Sequence, residues 1–300
     1  MVDPRILTGI LIAAAGLLIL VAMLRQLRRK RARAALFAPR AMAAANAPRL
    51  LAEYESSKHE VERAGAKTIA IIHDFDNPMS YNSPHREDLS TREAFEVLAE
   101  IRAAGEKTPL NIVLHTPGGM RLAAELIASA LKDRPNTTAY VPYCALSAGT
   151  MIALSCAKVV MGKNACLGPI DSQFAGFPAD TFARLMKEKP IENISDPWLM
   201  VSYVVEKDLK TARQRACELL NKAHFGRDEA CQLTDFLASG DLPHGERIGR
   251  ARAAEIGVNV AKEDCPEAVY KMVETQLELL RSMQGAQGLN AELKAKPHKR

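Results

Sequence analysis

Short apolar runs alternate with amphipathic stretches through the middle of the chain. Residues 67–73, 111–114 and 137–143 are rich in β-branched or aliphatic side chains, which is typical of buried strands. Residues 94–101 and 120–131 carry apolar side chains at helical spacing instead. Because strands and helices alternate, the pattern predicts an α/β fold with a mainly parallel sheet covered by helices.

The remainder of the chain is predicted to be mostly helical, with a few short strands. Helices are expected at residues 147–156, 178–189, 193–224, 228–237, 246–256 and 266–283. Short strands are expected at residues 158–161, 165–167 and 258–260.

Residues 7–24 form an almost uninterrupted apolar stretch without a charged side chain. In a helix this stretch would be about 27 Å long, close to the hydrocarbon core of a bilayer. A basic block (Arg25, Arg28, Arg29, Lys30, Arg31 and Arg33) follows at once, so the positive-inside rule places the rest of the chain in the cytoplasm. The alternative is a cleaved signal peptide, but its basic residues would precede the apolar stretch. We therefore expect one N-terminal transmembrane helix.

Composition narrows the choice of partners. The net charge is +5, and much of it sits in that basic block, so it gives no reason to expect nucleic acid. The six cysteines include no Cys-x-x-Cys pair and mostly lie in apolar surroundings, which predicts buried reduced thiols in a cytosolic compartment. Metal-ligand spacing is also missing, so we expect neither a metal nor a cofactor.

Two backbone features in the centre of the chain suggest acyl chemistry. Gly118 and Gly119 follow the strand predicted at residues 111–114, and Ser147 begins the helix predicted at residues 147–156. Glycine leaves its N–H group accessible, and a helix start leaves N–H groups unpaired. The amides of Gly119 and Ala148 are therefore candidate donors to an oxyanion while Ser147 attacks a carbonyl. The plain alternative for Ser147 is a helix N-cap without chemistry.

Three segments carry a resemblance to a known family: NIVLHTPGG at residues 111–119, CALSAGT at residues 144–150 and LGPIDSQ at residues 167–173. In this order they closely resemble the serine dehydrogenase proteinase family, a relative of signal peptide peptidase A. The resemblance extends from about residue 70 to residue 273. It implies the Clp-protease/crotonase fold, a spiral of βαβ units, and a closed homo-oligomer.

The same resemblance implies that Ser147 is the nucleophile and that Gly119 and Ala148 supply the oxyanion amides. No histidine stands where the Clp proteases keep theirs, a position that falls near Ile170 and Asp171. A Ser-His-Asp triad of the Clp type is therefore not expected.

A serine hydroxyl nevertheless needs a base. Signal peptide peptidase A and its relatives use a lysine, which must be buried to lose its charge. Lys189 in the Glu-Lys-Pro-Ile segment is the first candidate and Lys187 the second, whereas Lys207 and Lys210 fall too far into the next predicted helix.

Other polar residues have more than one interpretation. Asp171 either orients a base or binds a substrate amide, or else fixes its own loop by bonding backbone N–H groups. His115 is expected to be structural rather than part of the oxyanion site, and His244 to be structural or to line a substrate channel. In an α/β-hydrolase, whose triad runs Ser, acid, His along the chain, His224 or His244 would supply the last member.

The sequence therefore predicts a membrane-anchored cytoplasmic serine peptidase that acts on peptides or membrane proteins. The alternatives are a catalytically inactive Clp-like scaffold and an esterase. The expected organisation is an anchor with its basic flank at residues 1–33, a helical linker at 34–66, the peptidase domain at 67–283 and a basic, disordered tail at 284–300.

Overall fold

The computed structural model describes residues 46–62, 65–75, 88–174 and 177–294. Leu50–Arg281 is one compact unit, which contains every described strand and every site residue discussed below. The other unit consists of the two ends of the chain, of which the described parts, residues 46–49 and 282–294, are helical. The domain boundaries given above stay predictions.

A parallel sheet of four strands forms the centre of the compact unit. Its strands are β1 (Lys67–Ile72), β2 (Leu110–His115), β3 (Thr137–Val141) and β5 (Lys158–Met161), in the order β1-β2-β3-β5. All six residues of β2 are buried, as expected of a central strand covered on both faces. The predicted parallel sheet is confirmed.

Helices cover both faces of this sheet. On one face lie α2 (Thr91–Ala104), α3 (Arg121–Leu131) and α4 (Ala148–Leu154). On the other lie helix α1 at residues 46–61 and the first half of α9 (Glu267–Lys294). The alternation of β2 explains this arrangement, because Ile112 and Leu114 belong to the first apolar cluster and Val113 to the second.

The remaining helices and strands lie outside the central sheet. The further helices are α5 (Asp180–Glu188), α6 (Asp196–Leu219), α7 (Arg227–Leu237) and α8 (Arg250–Glu255). A small sheet contains β4 (Cys144–Ala145), β6 (Cys166–Leu167) and β9 (Ile248–Gly249). A hairpin is formed by β7 (Gln173–Phe174) and β8 (Phe177–Pro178).

Local patterns gave the wrong ends for several of these elements. A short 3-10 turn occupies Ile191–Asn193, and α6 begins only at Asp196, where the following proline fits the first helical turn because its missing N–H is not needed there. The helix predicted at residues 246–256 is divided between β9 and α8, because β9 pairs with β6 far away in the chain. Residues 258–260 form no strand beyond an isolated bridge from Val260.

The cysteines depart from the expectation of six reduced thiols. Cys217 on α6 and Cys231 on α7 form a disulfide, with their Cα atoms 4.6 Å apart. Cys156, Cys166 and Cys265 are free and buried, as predicted, and Cys144 is free and partly buried. The pair could not be predicted from the sequence because Cys217 and Cys231 lie on two helices that meet only in the folded protein.

No helix in the described part of the chain is both long and apolar enough to cross a bilayer. The predicted anchor at residues 7–24 and its basic flank lie outside the described residues.

Candidate active site

The carboxyl end of β2 continues into a glycine turn. Gly118 has a φ of +108° and Gly119 a φ of +143°, a region that favours glycine. A Cβ on Gly119 would lie 2.3 Å from the carbonyl oxygen of Leu89, so no other side chain fits there. The Leu89 N–H donates to the carbonyl of Gly118 (2.7 Å), and the Leu89 carbonyl accepts from the N–H of Met120 (2.8 Å). The turn is thereby fixed against the segment that precedes α2.

Ser147 occupies a second sharp turn, between β4 and α4. Its φ of 49° and ψ of −115° make it the only non-glycine residue with a positive φ among those described, a strain of about 1–3 kcal/mol. Hydrogen bonds on both sides of Thr116 join this turn to the glycine turn: Thr116 N–H donates to Cys144 O (3.1 Å), and Leu146 N–H donates to Thr116 O (3.0 Å). The structure thus holds the serine beside the two glycines.

Contact between the two turns is close. A Cβ on Gly118 would lie 2.8 Å from the Cβ of Ser147, so only glycine fits beside the serine. Within the described residues, neither the N–H of Gly119 nor that of Ala148 donates a hydrogen bond. Two amides without a partner among the described residues therefore belong to the two turns that meet at Ser147, which is the arrangement expected of an oxyanion hole.

A histidine–aspartate pair lines the same cavity as Ser147. Nδ1 of His244 lies 2.7 Å from one carboxylate oxygen of Asp171, and the other oxygen accepts from the amide of Gln173 at 2.5 Å. Asp171 is only 5% exposed, whereas His244 is half-buried. The hydrogen bond that His244 donates to Asp171 raises the pKa of His244 above its usual range, against the lowering effect of burial. The imidazole is thus oriented and made more basic.

Two connections position this pair. The N–H of Ile170, next to Asp171, donates to the carbonyl of Leu237 at the end of α7 (2.9 Å), which ties the aspartate loop to the start of the histidine loop. The hydroxyl of Thr150 on α4 donates to Ala145 O (2.7 Å) and accepts from Gly168 N–H (3.0 Å). The helix that begins after Ser147 therefore also anchors the loop that carries Asp171.

The cavity has a volume of about 670 Å³ and is walled by α3 and α6. Arg121 on α3 makes a double hydrogen bond to Asp208 on α6, at 2.7 and 2.5 Å, which lowers the pKa of that carboxyl. Arg215 on α6 contacts Glu125 on α3 at 3.1 Å. The two walls are thus joined by ion pairs, and apolar side chains such as Met151 and Leu209 also line the cavity.

The comparison with protein families decides the identity of the chain. Residues 35–297 match the family of ClpP-like SDH-type serine proteinases. The chain belongs to this family. It is a serine-type peptidase with a ClpP-like α/β fold, which confirms the resemblance drawn from the three sequence motifs.

Two relatives of the peptidase come from Methanocaldococcus jannaschii. The uncharacterized protein MJ0137 is 32% identical over 213 residues, which cover 71% of this chain and 74% of the relative. The uncharacterized protein MJ1495 is 32% identical over 234 residues, which cover 76% and 79%.

Solved structures resemble the peptidase at lower identity. A mutant of the 1510-N membrane-bound stomatin-specific protease has 19% identity and a TM-score of 0.40, with 59% of this chain and 76% of that chain covered. ClpP1 from Listeria monocytogenes has 13% identity and a TM-score of 0.41, with 67% and 94% covered.

The structure does not bring the predicted lysines to Ser147. Lys189 caps the end of α5 and Lys187 lies in its last turn, and both are exposed on a helix that has no buried residue. Among the described residues that line the cavity, none is a lysine. A lysine base requires burial, and neither position provides it.

The histidines are placed more informatively. His115 is buried between the rings of Phe75 and Tyr143, a packing role. His224 is directed to the carbonyl of Gly257 at 3.4 Å and lines another cavity. Of the two histidines considered for the order Ser, acid, His, only His244 reaches the site.

Sequence patterns did not indicate that His244 pairs with Asp171, because the two residues are 73 positions apart in the chain. The available signal was the chain order itself, with Asp171 after Ser147 and a histidine after both.

Proposed function

We propose that the peptidase cleaves peptide bonds with Ser147 as nucleophile, His244 as general base and Asp171 as the group that orients the base. The observation that carries the proposal is the Asp171–His244 pair in the cavity that also contains Ser147 and its two unpaired amides. Geometry and roles define such a site rather than the order of its members along the chain.

In the acylation step, Nε2 of His244 takes the proton of the Ser147 hydroxyl as the oxygen attacks the scissile carbonyl carbon. The N–H groups of Gly119 and Ala148 stabilise the negative charge that develops on the carbonyl oxygen, and loss of one such donor costs about 3 kcal/mol. The carbon–nitrogen bond then breaks as His244 returns the proton to the leaving amine.

Deacylation repeats these steps with water. His244 takes a proton from a water molecule that attacks the acyl carbon, and Ser147 leaves with that proton returned to its oxygen. Asp171 supports both halves because its carboxylate accepts from Nδ1–H and leaves Nε2 available toward the serine. Within the described residues, no other group bonds Nε2 of His244.

The glycine turn favours an extended peptide as substrate. Gly119 is exposed, and its N–H donates no hydrogen bond within the described residues, so the backbone of an extended peptide can bond to it. The apolar side chains that line the cavity would receive uncharged residues of the substrate.

Membrane anchoring through residues 7–24, with the catalytic domain in the cytoplasm, forms part of the proposal. Its support is the sequence pattern: an uncharged apolar stretch followed by a basic block. We also propose that the protein is a homo-oligomer, on the strength of its ClpP-like family. Peptides and membrane proteins are the proposed substrates.

Labelling with a fluorophosphonate probe tests the assignment of the nucleophile and the base. We expect Ser147→Ala to lose all labelling and His244→Gln to reduce its rate by about a thousandfold or more, since the base activates the hydroxyl. The matched controls are His224→Gln, a histidine outside the cavity, and Lys189→Ala, both expected to label at the unmodified rate.

Other outcomes separate the alternatives. Loss of labelling in Lys189→Ala, with full labelling of His244→Gln, would replace the histidine base by the predicted lysine. An unmodified Ser147 in the native protein would favour the inactive scaffold. Labelling together with ester but no peptide turnover would favour the esterase.

A further inference from the structure

A second carboxylate–histidine pair, with a buried histidine and a half-buried carboxylate, lies beside the glycine turn. His73, which follows β1, is 3% exposed. Its Nε2 lies 3.0 Å from a carboxylate oxygen of Glu93 on α2, and its Nδ1 lies 2.8 Å from the hydroxyl oxygen of Thr116. Neither His73 nor Glu93 lines the cavity with Ser147, so the proposed mechanism does not use them.

With a neutral His73 ring, the hydrogen bonds from Glu93 to Gly118 have one consistent direction. The carboxylate of Glu93 accepts from Nε2–H, which leaves Nδ1 of His73 as an acceptor for the hydroxyl proton of Thr116. The Thr116 oxygen in turn accepts from the N–H of Gly118 at 3.1 Å. The competing acceptor for the hydroxyl is the carbonyl of Gly118, but it is farther away, at 3.3 Å, and already accepts from Leu89.

This series of hydrogen bonds ends at Gly118, whose carbonyl shares a peptide group with the proposed oxyanion donor, the N–H of Gly119. The Gly118 carbonyl and the Gly119 N–H belong to one trans peptide group and therefore point in opposite directions. Leu89 holds the carbonyl from one side, so the Gly119 N–H points to the other, toward the cavity that Gly119 lines. Thr116 holds the preceding amide, so both peptide groups around the Cα of Gly118 are fixed.

We propose that His73 is a positioning residue for the oxyanion hole. Through Thr116 it fixes the Gly118 backbone, and with it the direction of the Gly119 N–H. The inference rests on the proposed role of the Gly119 amide as an oxyanion donor. A misplacement of such a donor by about 1 Å can cost a hundredfold in rate, so a chain of three hydrogen bonds behind the turn has a catalytic consequence.

Thr116→Val tests the proposal because it removes the hydroxyl but keeps the side-chain shape at a fully buried position. We expect kcat for a chromogenic peptide to fall about 10- to 100-fold with KM almost unchanged, since the lost interaction serves the transition state. Thr116→Ser, which keeps the hydroxyl, should restore most of the rate. The matched control is Thr234→Val, another buried threonine, whose hydroxyl has no partner within the described residues.

His73→Leu should lower kcat to a similar extent, and His73→Asn, which keeps an acceptor near Nδ1, should recover part of it. The double variant Thr116→Val/His73→Leu should be no slower than the poorer single variant, since both changes break one chain. Each of the two changes, Thr116→Val and His73→Leu, is also made in a Ser147→Ala protein that binds the peptide without cleaving it. The Kd for the peptide should stay the same there, whereas general structural damage would weaken binding.

Different results would overturn the positioning role of His73 and the proposed function of Ser147. Wild-type kcat in a folded Thr116→Val, or losses that multiply in the double variant, would overturn the positioning role alone. A fully active Ser147→Ala would overturn the proposed function as well.

Discussion

At the scale of single residues, the chemistry of the site depends on a carboxylate with almost no exposed surface. Asp171 is 5% exposed and gives both of its oxygens to neighbours, His244 and Gln173. A buried carboxylate is stable in its charged form only with such partners. The imidazole therefore has a fixed orientation and an electrostatic reason to hold its proton.

The raised pKa of His244 predicts the pH dependence of the reaction. A general base works only when neutral, so kcat/KM should rise with pH through one ionisation above the ordinary histidine value of about 6.5. Asp171→Asn removes the cause of the shift, so this limb should move to lower pH while the rate at its plateau falls by about 10⁴. Initial rates on a peptide between pH 5 and about 10 measure both effects.

Stability should respond with the opposite sign. Because the folded pKa of His244 is raised, its bond to Asp171 adds stability that is fully present below the unfolded pKa and is lost as the pH rises through the folded pKa. Denaturation of Asp171→Asn beside the native protein should show this small contribution disappearing in the pH range where activity appears. An activity limb that Asp171→Asn leaves in place would contradict the assigned pair.

At the scale of elements, the long strands and the first helices can be predicted from local patterns. The short strands and the packing of α6 and α7 on the rest of the fold cannot. The β2 strand was evident because it is a continuous apolar run, and α3 because its buried residues recur at helical spacing. Strands β4, β6 and β9 have two residues each and no periodicity of their own. Their existence depends on partners supplied by distant segments.

The disulfide between α6 and α7 provides a prediction at this scale. It closes a loop with a sequence separation of 14, so replacing Cys217 and Cys231 by alanine should lower the free energy of unfolding by about 3 kcal/mol under oxidising conditions. Thermal unfolding with and without a reductant measures the effect.

The control is the same double-alanine variant measured under reducing conditions. Replacing the free thiols of Cys156 and Cys166 would not serve, because both are buried. Under reducing conditions the difference from the native protein should shrink to the packing change alone. An equal melting temperature of the native protein with and without reductant would show that the bond does not contribute.

At the scale of the whole molecule, α6 has two roles. It walls the cavity opposite α3 through its ion pairs, and Arg213 on it donates to the carbonyls of Ala238 and Ser239 at the start of the histidine loop. The central sheet meanwhile presents the glycine turn at the carboxyl end of β2, where open α/β sheets bind their ligands, and β4 of the small sheet leads into the serine turn beside it. The site thus combines two parts of the compact unit: the glycine and serine turns, and α6 with the loop that carries His244.

The proposed anchor is tested on the full chain. With residues 7–24 in a bilayer, the protein should remain in the membrane pellet after extraction at alkaline pH, whereas a variant without residues 1–33 should move to the supernatant. Removal of residues 284–300, which also takes away basic charge, is the matched control and should leave the protein in the pellet. Release of the full chain by high salt alone would show electrostatic surface binding instead.

The sequence by itself determined the parallel sheet, the glycine turn, the serine turn and the family, because each of these is written in neighbouring residues. Regular burial marks a strand or a helix, and Gly118, Gly119 and Ser147 express backbone requirements that act within a few positions. Only the tertiary structure placed His244, the proposed base, in the same cavity as Ser147.

His244 meets Asp171 across 73 residues, and His73 meets Thr116 across 43. Such meetings depend on how the end of α7 packs on the aspartate loop and how β1 lies beside β2. Local periodicity carries no information about these contacts, since the free energy that creates them comes from packing of elements that are distant in the chain.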